Sequence, residues 1–106
     1  MIKNLVCYKQ LPIWTTETLP KPFRQKHNTR KDVWAKLTIL KGQLQFTELT
    51  ADNEVIAEHI FTPESEIPFV EPQAWHRVAP LSDDLECFLE FYCEPKNYFK
   101  NKYDIN

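Results

Sequence analysis

Apolar and polar residues take turns along most of the chain. Ala35, Leu37 and Ile39 share one side of a run at 33–40, and residues 43–49 alternate again. A period of two puts one set of side chains inward and the other outward, which predicts half-buried strands. Turn chemistry separates the runs. Lys41-Gly42 predicts a hairpin turn and Asp52-Asn53 a second, while Thr62-Pro63-Glu64-Ser65 and Leu81-Ser82-Asp83-Asp84 end later runs. Further strands are expected at 2–8, at 23–27 (ending on His27), at 55–61 pairing back, and at 85–93, the longest. Residues 28–32 are polar and turn-like, and residues 67–70 lead into the next turn. Residues 11–22 hold three prolines and read as an extended wrap anchored by Trp14 and Leu19. A short helix is expected at 95–103, where Pro95 suits the first position and Phe99 and Tyr103 lie four apart on one face. Short strands at regular spacing argue an all-β sandwich or barrel, with residues 1–106 forming one domain.

One stretch stands out, Phe69-Val70-Glu71-Pro72-Gln73-Ala74-Trp75-His76-Arg77-Val78. Proline fixes φ and lacks a donor, so Pro72 belongs between strands. His76 then starts a new strand, where a rigid backbone would hold a ligand or catalytic imidazole. The alternative is a packed, hydrogen-bonded core histidine. His59, beside Glu58 on a half-exposed strand, reads as a surface histidine.

Composition narrows the function. A net charge of −2 gives no sign of nucleic-acid binding, and the basic cluster between Lys21 and Lys41 reads as a solvated surface. No apolar run is long enough to span a membrane, and the N-terminus lacks a signal-peptide pattern, so a cytoplasmic protein is expected. Phosphate-cradling loops need several glycines, and Gly42 is the only one here, so no nucleotide or S-adenosylmethionine site is expected. Cys87 and Cys93 lie in one strand, about 20 Å apart at 3.3 Å per residue, too far for a disulfide. Their alternation with Leu89 and Phe91 marks them as small core residues, with no adjacent base to activate them.

The order of strands, with Gly42 at one turn and Pro72 and His76 opening a later strand, is similar to the two halves of a cupin barrel. A more specific resemblance runs along nearly the whole chain. It is carried by Tyr8-Lys9-Gln10-Leu11-Pro12, by Lys26-His27-Asn28-Thr29 and by Trp34-Ala35-Lys36-Leu37-Thr38-Ile39-Leu40-Lys41-Gly42. Ala57-Glu58-His59-Ile60-Phe61-Thr62-Pro63-Glu64-Ser65, the stretch around Pro72, and Leu81-Ser82-Asp83-Asp84-Leu85-Glu86-Cys87 continue it. These residues resemble the family of TehB N-terminal domains and YeaR-like proteins. The resemblance implies a cupin-like double-stranded β-helix (a jelly-roll barrel), a homodimer, and an association with resistance to tellurite. It implies no methyltransferase activity here, because the S-adenosylmethionine-dependent domain of TehB would begin near Asn106. The ordinary cupin pattern of two close histidines and a glutamate is not kept: His27 stands alone, and Ala35 falls about where the glutamate would.

Within such a barrel, His27 and His76 would be ligands of a divalent metal (zinc, iron or nickel), with Glu90 as the carboxylate. Glu90 shares a strand face with Glu86, Phe88 and Tyr92, opposite Cys87, Leu89 and Phe91, so the triad needs both faces buried. Trp34, Glu71, Gln73, Trp75 and Arg77 are the expected ligand-pocket residues. Arg77 would hold an oxyanion such as tellurite, or else form a surface ion pair. Three functions follow as expectations: a metal- or ligand-binding domain, a metal-dependent cupin enzyme of the dioxygenase or isomerase type, or a metal-free dimerisation module.

Overall fold

A computed structural model describes residues 4–103; Ile2 and Lys3 of the expected first strand lie outside the described residues. The described chain is mostly β and folds into two four-stranded antiparallel sheets. The first sheet is built on β8 (Glu86–Cys93), which pairs along one side with β4 (Trp34–Lys41). Its other side takes two short strands end to end. β1 (Val6–Gln10) pairs with the C-terminal half of β8, and β2 (Trp14–Thr15) with Cys87 and Glu86. Pro12 separates them because it cannot donate to a ladder. The second sheet has the order β3 (His27–Asn28), β7 (Trp75–Pro80), β5 (Leu44–Leu49), β6 (Val55–Phe61).

The apolar faces of the two sheets meet. Leu37, Ile39 and Cys87 from the first pack with Leu44, Phe46 and Val78 from the second, joined by Leu19 and Leu85. Leu19 is buried and Trp14 packs against this cluster, so both anchor the wrap as expected. Cys87 and Cys93 are fully buried.

Three expectations are corrected. First, Lys41-Gly42 does not close a hairpin. β4 and β5 lie in different sheets, and the turn is a corner between them. Gly42 has φ +80°, and an added Cβ would lie 2.9 Å from the Leu85 Cα, so the corner needs glycine. Second, residues Lys21–Arg24 form one helical turn (α1) rather than the start of a strand, because Pro22 presets a helical φ. The strand begins at His27 instead. Third, the sheets do not close into a continuous barrel among the described residues. The segment before β7 pairs with β4 through an isolated Ala35–Val70 bridge rather than a ladder, since Pro68 and Pro72 flank it and carry no N–H. The C-terminal helix is present, as a 3₁₀ turn at Pro95–Asn97 followed by α2 (Tyr98–Lys102).

Candidate ligand-binding site

A cavity of about 630 Å³ opens between the sheets. Its floor is apolar and buried, with Leu44 and Cys87 fully so. His27 and His76 are direct register partners across β3 and β7, which puts both rings on one face of the sheet. The rings meet edge to face with centroids 4.2 Å apart. Phe23 presents its edge to His27 at 5.0 Å, and Phe46 stacks on His76 at 5.1 Å. Sequence separation hides this meeting; the β3–β7 pairing creates it.

Both imidazoles are held the same way. His27 Nδ1 lies 2.8 Å from the Gln25 carbonyl, and His76 Nδ1 lies 3.0 Å from the Ala74 carbonyl. A carbonyl oxygen only accepts, so each Nδ1 carries the proton and donates. The neutral rings therefore keep their lone pairs on Nε2. Burial holds both below the usual histidine range. His76, 7% exposed, is lowered to about 4, by burial first and then by the charge of His27, against the opposing pull of the Ala74 carbonyl. His27 is lowered by burial, with the Gln25 carbonyl opposing. At neutral pH the pair is an uncharged acceptor.

Glu90 does not join them. Alternation along β8 sends Leu89 and Phe91 to the cavity and Glu90 to the other face, where its Oε2 lies 3.9 Å from Cys7 Sγ. Among the described residues, no group of three His, Cys, Asp or Glu side chains is placed to hold a metal. Two imidazoles with fixed tautomers fit two positions of an open site, and the three-residue set does not assemble.

The pocket residues expected from sequence divide. Glu71, Gln73 and Trp75 line a second cavity of about 460 Å³, which shares Phe46 and His76 with the first. Trp34 lines neither cavity; it is buried, and its Nε1 donates to Glu71 Oε2 at 3.1 Å. Arg77 is exposed on β7 outside both cavities, since alternation turns it away from His76.

Sequence reasoning missed three contributors. Thr29 lines the first cavity, is 7% exposed, and its Oγ1 has no hydrogen-bond partner among the described residues. It stands two residues after His27, a spacing that could have flagged it. Lys102 reaches the same cavity from the C-terminal helix, with no signal in the sequence. His59 lies on a half-exposed strand as expected, but it also lines the second cavity, 2.5 Å from Glu48 Oε2 and stacked on Phe61.

The described residues thus form a two-sheet β domain with an apolar cavity and a histidine pair at its wall. Residues 9–89 match the TehB-like domain, and the chain belongs to that family. It is 64% identical over 104 residues to the probable S-adenosyl-L-methionine-dependent methyltransferase TehB of Haemophilus influenzae Rd. It is 61% identical over 105 residues to the protein of the same name from H. influenzae strain 10810. These matches cover 98% and 99% of this chain but only 36% and 37% of the relatives. The crystal structure of H. influenzae TehB superposes with a TM-score of 0.93 at 64% identity, over 96% of this chain and 36% of that one. A crystal structure of a protein from E. coli K12 shares the fold, with a TM-score of 0.76 at 20% identity, over 90% of this chain and 96% of that one.

Proposed function

We propose that this TehB-like domain is a small-ligand-binding module that acts in tellurite or other oxyanion stress, without methyltransferase activity of its own. The carrying observation is the contact between His27 and His76 at the wall of the larger cavity. Such a pair, desolvated and fixed in one tautomer, recognises a bound molecule through two Nε2 acceptors. The reading includes a cytoplasmic location and a cupin-type jelly roll left open where prolines interrupt the strands. No helix is long and apolar enough to cross a membrane among the described residues. It also includes a homodimer, for which β6, an edge strand with exposed Val55, Ile56 and Ile60, offers a pairing surface.

A second reading is a divalent metal held by His27 and His76. The Nδ1–carbonyl bonds favour it, because metal-binding histidines usually donate their other N–H in this way. A metal would supply Lewis acidity there, while the two side chains would hold it and the cavity would exclude water. Against it stand Lys9, Arg30 and Lys102, which line the same cavity and oppose a bare dication.

Calorimetric titration tests both readings. The domain is titrated with tellurite and separately with zinc, iron(II) and nickel, and the titrations are repeated on His76→Ala. Binding of tellurite or another small molecule that His76→Ala abolishes supports the first reading. Stoichiometric metal lost in the same variant supports the second. A folded protein that takes up neither overturns the metal reading and tellurite as the ligand.

A further inference from the structure

We infer that the larger cavity takes an uncharged aromatic compound that carries a phenolic hydroxyl. This names the ligand class of the binding reading above and rests on it. The wall supplies the first argument. Trp14, Phe23, His27, His76 and Phe46 all line the cavity and touch in that order, with successive ring centroids between 4.2 and 5.1 Å apart. Five rings from β2, α1, β3, β7 and β5 thus form one continuous surface. A flat ring gains offset and edge contacts there that an aliphatic chain of the same area does not. A cavity of about 630 Å³ has room for fused rings.

Hydrogen bonding supplies the second argument. Nδ1 of each histidine is engaged with a backbone carbonyl, which leaves Nε2 as an acceptor. Neither Nε2 has a hydrogen-bond partner among the described residues. Thr29 follows His27 by two residues and lines the same cavity, and its buried Oγ1 is also without a partner among the described residues. An unpaired buried hydroxyl is unfavourable, and a ligand oxygen would satisfy it. One phenolic O–H answers both needs: its hydrogen goes to an Nε2 and its oxygen accepts from Thr29. A phenol, with a pKa of about 10, is a stronger donor than an aliphatic alcohol and stays neutral at pH 7.

Desolvation supplies the third, by exclusion. His27, His76 and Thr29 are all neutral at pH 7, since burial holds both imidazoles below the usual histidine range. An ionised head brought against them would lose its water to neutral partners, which is costly. A carboxylate also has no donor to give to either Nε2. An uncharged ring with a hydroxyl meets all three conditions.

The test is isothermal titration of the 106-residue chain at pH 7, with each probe below its solubility limit. The probes are 2-naphthol, its methyl ether 2-methoxynaphthalene, 2-naphthoate, 2-naphthylmethylamine and the saturated alcohol decahydro-2-naphthol. 2-Naphthol should bind most tightly. The ether, which cannot donate, should bind about tenfold more weakly, and the two ions at least as much more weakly. The saturated alcohol should lose about threefold or more. His76→Phe keeps a ring in the wall and removes the acceptor, so it should weaken 2-naphthol about tenfold and leave the ether unchanged. Thr29→Val should likewise weaken 2-naphthol about tenfold, while Arg77→Ala, outside both cavities, has no effect. Equal or tighter binding of the ether, either ion or the saturated alcohol overturns the inference, as does a parallel loss of naphthol and ether in His76→Phe. If no ring compound binds but tellurite or zinc binds in a His76-dependent way, the inference falls and the cavity remains a binding site. If no probe, oxyanion or metal binds the folded chain, both fall.

Discussion

His27 and His76 stand directly opposite each other on neighbouring strands, 4.2 Å apart by ring centroid, so a proton on either opposes a proton on the other. Burial already favours the neutral rings. The unfolded chain, with both imidazoles near pKa 6.5, binds more protons in acid than the folded one. The pair's contribution to stability is therefore complete above about pH 6.5 and is lost as the pH falls toward the folded value of about 4 for His76. The His76 shift corresponds to roughly 3 kcal/mol. Urea unfolding at pH 7, 5.5 and 4 should show a steeper loss for the parent than for His76→Gln. Parallel pH profiles would rule out the neutral pair.

Gly42→Ala should be costly although it adds one methyl. The residue sits at φ +80°, and the new Cβ would lie 2.4 Å from Ser82 Oγ and 2.9 Å from the Leu85 Cα. The serine can rotate away, but the backbone of the β7–β8 corner cannot. A destabilisation of at least about 2 kcal/mol is expected. A thermal midpoint within about 2 °C of the parent would show that the two corners are less tightly packed than described.

The three thiols should separate in reactivity. Cys7 is exposed, while Cys87 and Cys93 are fully buried, and burial pushes the Cys87 thiol up to about 11. Ellman's reagent should titrate one thiol in the native state and all three in urea. Two or more fast native thiols would mean that the β8 core opens readily.

Much of this fold is legible in the sequence because alternation reports a strand's two faces wherever one is buried. Ala35, Leu37 and Ile39, and the buried Cys87 and Cys93, follow directly from it. Partner choice is not legible in that way. Gly42 marks a turn equally well whether the flanking strands pair or part into different sheets. The prolines at 20 and 22 fit an extended wrap as well as a helical turn. The same holds for the site. His27 and His76 are separated by almost half of the chain, and only the β3–β7 register joins them. The alternation that would have removed Glu90 from the set was visible, conditional on which face of β8 the cavity used. Lys102 carries no sequence signal, because its place depends on how the tail packs back on β1.

Thr29→Val offers the sharpest separation of stability from function. Valine has nearly the shape of threonine and lacks the hydroxyl. Thr29 is 7% exposed, and its Oγ1 finds no partner among the described residues. Folding strips that oxygen of water and returns no hydrogen bond for it, at a cost of about 1 kcal/mol or more. The substitution should therefore raise stability by about 1 kcal/mol in urea unfolding, against the usual direction for a buried position. A hydroxyl retained for ligand contact would make the same variant weaker in binding. More stability together with less binding is the signature of a polar group kept for its ligand. A variant that loses stability instead would mean that Thr29 Oγ1 has a structural partner, and the polar contact assigned to the cavity would have to come from elsewhere.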